Sequence, residues 1–207
     1  MKNNYLFLGV ISIIIVFLNN KNKKNQKGGK IKNIEEFDML NIYDEPLQKC
    51  GNENMQNGSW DYEKKCSEID GGVHQICINN ISSRAKNFSK ITGQSDWSDY
   101  RSKDNHCVCL GAWSLYVAKK HNKISKDVLK CDAIPKVSLS EKYVSKFGQG
   151  WNKWNGLEIN DQVKNGVEGL VMNCYKGPKK DKLRKNYCNF ANKVSALKNS
   201  KLYKKLC

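Results

Sequence analysis

The stretch DNHCVCLGAW, residues 104–113, decides how the rest of the chain is read. Two cysteines, Cys107 and Cys109, stand one residue apart between His106 and an apolar run. Leu110, Trp113, Tyr116 and Val117 recur at helical spacing and share one face. Asp104 or Asn105 offers an N-cap for that helix, and Lys119, Lys120 and His121 stand near its C-terminal end, where positive charge is favoured. Cys107 and Cys109 therefore fall in the first turn or just before it, where backbone amides favour a thiolate. Residues two apart on a regular helix point in different directions, so one ion can take both only where the backbone is irregular. The pair stays open to four readings: metal ligands, redox thiols, disulfide halves or core residues.

On either side of this stretch the pattern alternates short strands with helices. VHQICI, Val73 to Ile78, is apolar enough for a short buried strand, and VLKCDAI offers a second. SSRAKNFSKITG reads as a short helix capped by Ser82 or Ser83 and ended by Gly93. Ser138 and Glu141 form a capping box for a helix ending near Phe147 and Gly148. Val163, Val167, Leu170 and Cys174 are helically spaced despite Gly166 and Gly169, with Trp151 and Trp154 expected to pack that helix down. The expected fold is a small single α+β domain of short strands and three or four helices, preceded by one N-terminal hydrophobic helix.

The charge of +16 is unevenly spread. Residues 1–32 carry seven Lys and no acid, residues 172–207 carry ten Lys, Arg184 and only Asp181, and the middle is near neutral. A neutral body with basic flanks argues against a nucleic-acid reader as the main domain and for flanks that lie on lipid headgroups or nucleic acid. YLFLGVISIIIVFL, residues 5–18, is an apolar run with no small-residue cleavage site after it, so it reads as an uncleaved membrane anchor rather than a signal peptide. Lys21, Lys23, Lys24 and Lys27 follow it as candidate membrane-surface contacts. The positive-inside rule then places the C-terminal domain in the cytoplasm, where thiols are normally reduced. The expected layout is an anchor over 1–20, a basic flexible linker over 21–44, a cysteine-rich domain over 45–174 and a basic tail over 175–207.

Nine cysteines cannot all pair within one chain. No C-x2-C occurs, so spacing alone is a weak zinc signal. The order PLQKC (46–50), NGSW (57–60), Cys66, DGGVHQIC (70–77) and HCVCLGAW (106–113) nevertheless resembles the motif series of an uncharacterised cysteine-rich family. That is domain-of-unknown-function family 2237, found in bacteria and in some algae and large DNA viruses. The resemblance covers residues 45–148 and carries over Cys50, Cys66, Asp70, Gly72, His74, Cys77, Cys107, Cys109 and Trp113. His106 stands where the family has Trp, and Ala112 where it has Arg. GQSD (93–96) replaces its Gly-Asn-Asp loop, and Ala133-Ile134-Pro135 lies near the place of a missing Thr-His pair. If the lost Arg and His act in relatives, this copy is inactive. The family has no established reaction, so the resemblance implies a fold and no activity.

Three functions compete. A thiol- or zinc-dependent domain would use Cys50, Cys66, His74, Cys77, Cys107 and Cys109, with Asp70 as a further polar candidate, because thiolates and neutral imidazole suit zinc. A membrane-tethered structural component, as in a virion membrane, would use the anchor, protein partners and a tail able to grip membrane or nucleic acid. A disulfide-stapled domain would reconcile many cysteines with a cytoplasmic face where a viral thiol oxidase acts. No nucleotide loop, nucleophile elbow, HExxH or kinase signature is present.

Overall fold

The computed structural model describes residues 40–55, 58–67, 74–101, 104–120, 123–141 and 159–207. The N-terminal hydrophobic helix, the basic linker to residue 39, Asp70, Gly72, Trp151 and Trp154 lie outside the described residues. Within them the fold is α+β: one two-stranded sheet and seven helices. No described helix is long and apolar enough to cross a membrane.

The sheet is small because its apolar runs are short. Strand β1, Ile76–Ile78, pairs antiparallel with β2, His106–Val108, and all six residues are buried. Cys77 lies directly opposite Cys107. The expected strand in VLKCDAI reduces to one bridge, Leu129 opposite Ile78, before a 3-10 turn at Cys131–Ala133. The disulfide from Cys131 to Cys174 holds that turn against a helix end.

The helix read from 82–93 is two short helices, α1 (Ile81–Arg84) and α2 (Phe88–Ile91). Their N-caps are Asn80 and Asn87, not serines, and both are left-handed with φ of 43° and 58°. Asparagine tolerates that conformation better than other side-chain-bearing residues, so each one breaks the chain direction. Helix α3, Leu110–Lys119, starts at Cys109, which is its extended N-cap. The expected cap, Asn105, is used elsewhere: its side chain accepts from the Asn80 N–H and donates to the Cys50 carbonyl. Ser138 lies in a second 3-10 turn, Lys136–Leu139, and the helix expected to follow falls outside the described residues.

Helix α4, Ile159–Cys174, lies against α3. Its two glycines, which look like weaknesses in a helix, are what let it approach. A Cβ on Gly166 would sit 1.9 Å from Ser114 Oγ and 2.8 Å from Ser114 Cα. The Trp113 indole N–H donates to the Gly166 carbonyl at 2.9 Å across the same contact. Buried Trp113, Val117, Val167, Leu170 and Val171 fill the rest of that face.

Residues 175–207, read as a basic tail, are folded. They form α5 (Lys180–Ala191), α6 (Ser195–Lys198) and α7 (Lys201–Leu206). Leu183, Tyr187, Phe190, Leu197 and Leu202 are buried in the common core, and Cys188 bonds to the C-terminal Cys207. The apolar residues spaced through the lysines make one buried face per helix and leave the lysines outside.

Candidate functional site

Two disulfides meet at the paired strands. Cys77 and Cys107 face each other across the ladder, yet each bonds outward, Cys77 to Cys50 and Cys107 to Cys66. The loops carrying Cys50 and Cys66 are joined by the Cys50 N–H donating to the Lys64 carbonyl at 2.7 Å, which brings both loop cysteines to one place. The sulfurs of Cys50, Cys66 and Cys77 all lie within 4.8 Å of one another and are buried. Four of the six expected zinc ligands are therefore gathered as the sequence reading required, but as two disulfides. A disulfide sulfur carries no thiolate charge, so this form does not match the zinc site that was expected; such a site belongs to the reduced chain alone.

Strand β2 forms one wall of a cavity of about 270 Å³. His74 comes from the segment just before β1, His106 from β2, Cys109 from the cap of α3, and Gln94, Trp97 and Arg101 from the loop after α2. His74 is not on the strand with Cys77, as the VHQICI reading had placed it, because the ladder begins only at Ile76. His74 is half-buried, and burial alone holds its imidazole below the usual histidine range.

His106 is buried, with its ring 4.4 Å from that of Trp97 and its Nε2 3.1 Å from Ser59 Oγ. Ser59 reaches it from a tight turn in which its own φ is +52°. That turn is shaped by Trp60, whose ring covers Gly58: a Cβ there would lie 1.7 Å from the indole. Trp97 Nε1 donates to Gln94 Oε1, and Gln94 Nε2 donates to Thr92, which fixes the amide's orientation. The Arg101 guanidinium lies 5.7 Å from the Trp97 ring centre, within cation–π range.

Of the expected site residues, His74, Cys107 and Cys109 reach this cavity, and Cys50, Cys66 and Cys77 stand in the disulfide pair beside it. Cys109 is buried and outside the four disulfides. Asp70 and Lys21, Lys23, Lys24 and Lys27 fall outside the described residues. The sequence reading missed Ser59, Gln94, Trp97 and Arg101 as a group. Nothing in the spacing of QSDWSDYRSK, residues 94–103, says which way those side chains turn. It also passed over the bonds of Cys131, Cys188 and Cys207, which have no local signature. No family model, no curated protein and no solved structure matches the chain.

Proposed function

We propose that this chain is a disulfide-stapled structural and interaction domain that works against a membrane surface. The observation that supports it is the placement of the four disulfides. They tie the loops to the sheet, the 3-10 turn to α4, and α5 to the C-terminus. A domain clamped at its sheet, at the end of α4 and at its C-terminal helices suits a load-bearing role. The clamp also reaches the lysine-rich end: Lys180, Lys185, Lys193, Lys198, Lys201, Lys204 and Lys205 are exposed on α5 to α7 or beside them and form no salt bridge among the described residues. Each lysine held near an anionic lipid surface contributes about 1 kcal/mol, and the apolar run at 5–18 would supply the tether. In this reading the domain is on the cytoplasmic side of a single-pass anchor, as in a virion membrane, and its disulfides are made by a thiol oxidase acting there. The likeness to family 2237 is consistent with it as a proposal about the fold.

The test is a thiol count on the chain isolated under alkylating conditions, together with flotation on vesicles with and without anionic lipid. In denaturant, one thiol per chain before reduction and nine in total after it, and flotation that needs anionic lipid and fades with salt, are expected. Several reactive thiols before reduction would reject the stapled domain, and flotation indifferent to lipid charge would reject the lysine contact.

A second reading is a zinc or thiol centre at Cys77 and Cys107, near His74 and Cys109. It is favoured by one observation, the convergence of the Cys50, Cys66 and Cys77 sulfurs. Tetrahedral zinc with Zn–S near 2.3 Å places sulfurs roughly 3.8 Å apart, so a reduced cluster needs only a small adjustment. Stoichiometric zinc in the reduced chain, lost in Cys77→Ser, would favour it.

A further inference from the structure

A groove of about 520 Å³ lies where three stretches of chain meet: Asn79 to Arg84 after β1, residues 127–132 leading into the first 3-10 turn, and Lys176 to Lys179 between α4 and α5. Its volume falls in the range of roughly 300–1,000 Å³ typical of small-molecule sites. Four basic side chains line it, Arg84, Lys130, Lys176 and Lys179, against two acidic ones, Asp127 and Asp132. Both acids are taken: Asp127 pairs with Lys176 at 2.5 Å and Asp132 with Lys179 at 2.9 Å. Two cations are left underused. The Lys130 ammonium forms no salt bridge among the described residues and reaches only the Cys50 carbonyl, at 3.4 Å. Burial holds it below the usual lysine range, and the charge of Asp132 offsets that only in part. Arg84 comes no nearer than 4.0 Å to Asp127, too far for a hydrogen bond, so its planar fork of donors is unfilled there. A cation entering the groove would meet two loosely held like charges and no unpaired acid. An anion would give Lys130 the partner that its burial calls for.

We propose that this groove binds a phosphate monoester. Near neutral pH such a group carries close to two negative charges and three strong acceptor oxygens, enough to answer both Lys130 and Arg84. A carboxylate or a phosphate diester brings one charge and answers only one of them. The groove is built before any ligand arrives. The Cys131–Cys174 bond ties its 3-10 turn to the end of α4. Asn173 accepts from the Leu129 N–H at 3.2 Å and donates to the Ser125 carbonyl at 2.8 Å, which fixes the segment between them. The Asn79 N–H donates to the Val128 carbonyl at 2.8 Å and joins the third wall. Lys179 is pinned by Glu45 at 2.6 Å and lies 5.7 Å from the Tyr43 ring centre. Such preorganisation lowers the ordering cost of binding. The phosphate can belong to a soluble ester or to a lipid headgroup; only the second source rests on the membrane reading.

The test uses the full-length, disulfide-intact chain in neutral detergent, above the second phosphate pKa of about 6, titrated by calorimetry with methyl phosphate and with dimethyl phosphate. Saturable one-to-one binding of methyl phosphate is expected, with dimethyl phosphate about tenfold or more weaker. Lys130→Gln and Arg84→Gln should each weaken methyl phosphate by about tenfold and leave the thermal unfolding midpoint in place; Arg84→Gln, at an exposed position, carries the test if Lys130→Gln disturbs the fold. Lys205→Gln removes the same charge from the exposed side of α7 and should leave the affinity unchanged. Absence of saturable methyl phosphate binding would overturn the proposal, and so would dimethyl phosphate binding as tightly. A loss in Lys205→Gln equal to that in Lys130→Gln would also overturn it, because net charge and not the groove would then hold the ligand. Vesicles of phosphatidate and of phosphatidylglycerol at equal surface charge separate the two sources. A preference for phosphatidate that Lys130→Gln abolishes supports the groove as a headgroup site, and methyl phosphate binding without that preference supports it as a site for a soluble ester. None of these outcomes bears on the thiol count, so the groove can fail while the stapled domain stands.

Discussion

Replacing Gly166 with Ala asks whether α3 and α4 touch as described. On helix propensity alone the change should help, because Ala is favoured over Gly in a helix interior by about 1 kcal/mol. The contact says otherwise. The new methyl would lie 1.9 Å from Ser114 Oγ, 2.6 Å from its Cβ and 2.8 Å from its Cα. A hydroxyl can rotate aside, but Cβ and Cα move only with the helix. Restoring ordinary contact requires the helices to part by on the order of half an ångström to an ångström, at the site where Trp113 donates to the Gly166 carbonyl. Overpacking of this kind costs about 1–3 kcal/mol, and a weakened buried hydrogen bond adds about 1. The net expectation is a loss of about 1–3 kcal/mol, or about 2–12 °C in midpoint for a chain of this size. The assay is thermal unfolding followed by near-ultraviolet circular dichroism, with disulfides intact. Gly169→Ala is the comparison, because its Cβ would meet the Val117 methyls at 3.0 and 3.1 Å and Trp113 Cζ2 at 3.7 Å, a milder crowding with no backbone atom in it. Ser114→Gly placed in the Gly166→Ala chain should recover part of the loss. A Gly166→Ala chain as stable as the parent, or more stable, would show that propensity wins and that the close approach of the helices is wrong.

Cys188→Ser with Cys207→Ser should destabilise the C-terminal helices by about 3 kcal/mol, from the entropy released in a loop of 19 residues, read as earlier loss of hydrogen-exchange protection in α5 to α7. The same double substitution at Cys131 and Cys174 opens a loop of 43 residues and should cost about 4 kcal/mol in denaturant unfolding; equal stability with and without either bond would show the chain unfolds from a state they do not constrain. Asn105→Ala leaves the Asn80 N–H and the Cys50 carbonyl without that side chain and should cost about 1–3 kcal/mol, whereas an unchanged urea midpoint would deny the bridge. His74 should titrate below 6.5 in the folded chain. The unfolded chain then binds more protons in the window between the two values, so stability is full above 6.5 and falls as pH drops toward the folded value; His74→Gln should flatten that slope, and a midpoint at or above 6.5 would contradict the burial.

Much of the helical content was legible because it rests on periodicity. The spacing of Leu110, Trp113, Tyr116 and Val117, and of Val163, Val167, Leu170 and Cys174, is local, and both helices are present. Boundaries were harder, since Asn80, Asn87 and Cys109 take cap positions that Ser82, Ser83 and Asn105 looked better suited to fill. The C-terminal segment was misread for a physical reason: ten lysines dominate its composition, while the buried face rests on a few residues such as Leu183, Tyr187 and Phe190.

The sequence by itself determined the residue types, an odd cysteine count, the separation of a neutral middle from basic ends, and the helix periods. Each of these depends only on composition or on neighbours within a few positions. Tertiary structure decided which sulfur bonds to which, since Cys77 faces Cys107 in the ladder yet bonds to a cysteine 27 residues away. It also decided that Ser59, His74, Arg101 and His106 share one cavity and that Gly166 is a contact rather than a flaw. Those outcomes depend on where loops close and how nearly two backbones approach, which is set by packing of the whole domain and leaves no trace in spacing along the chain.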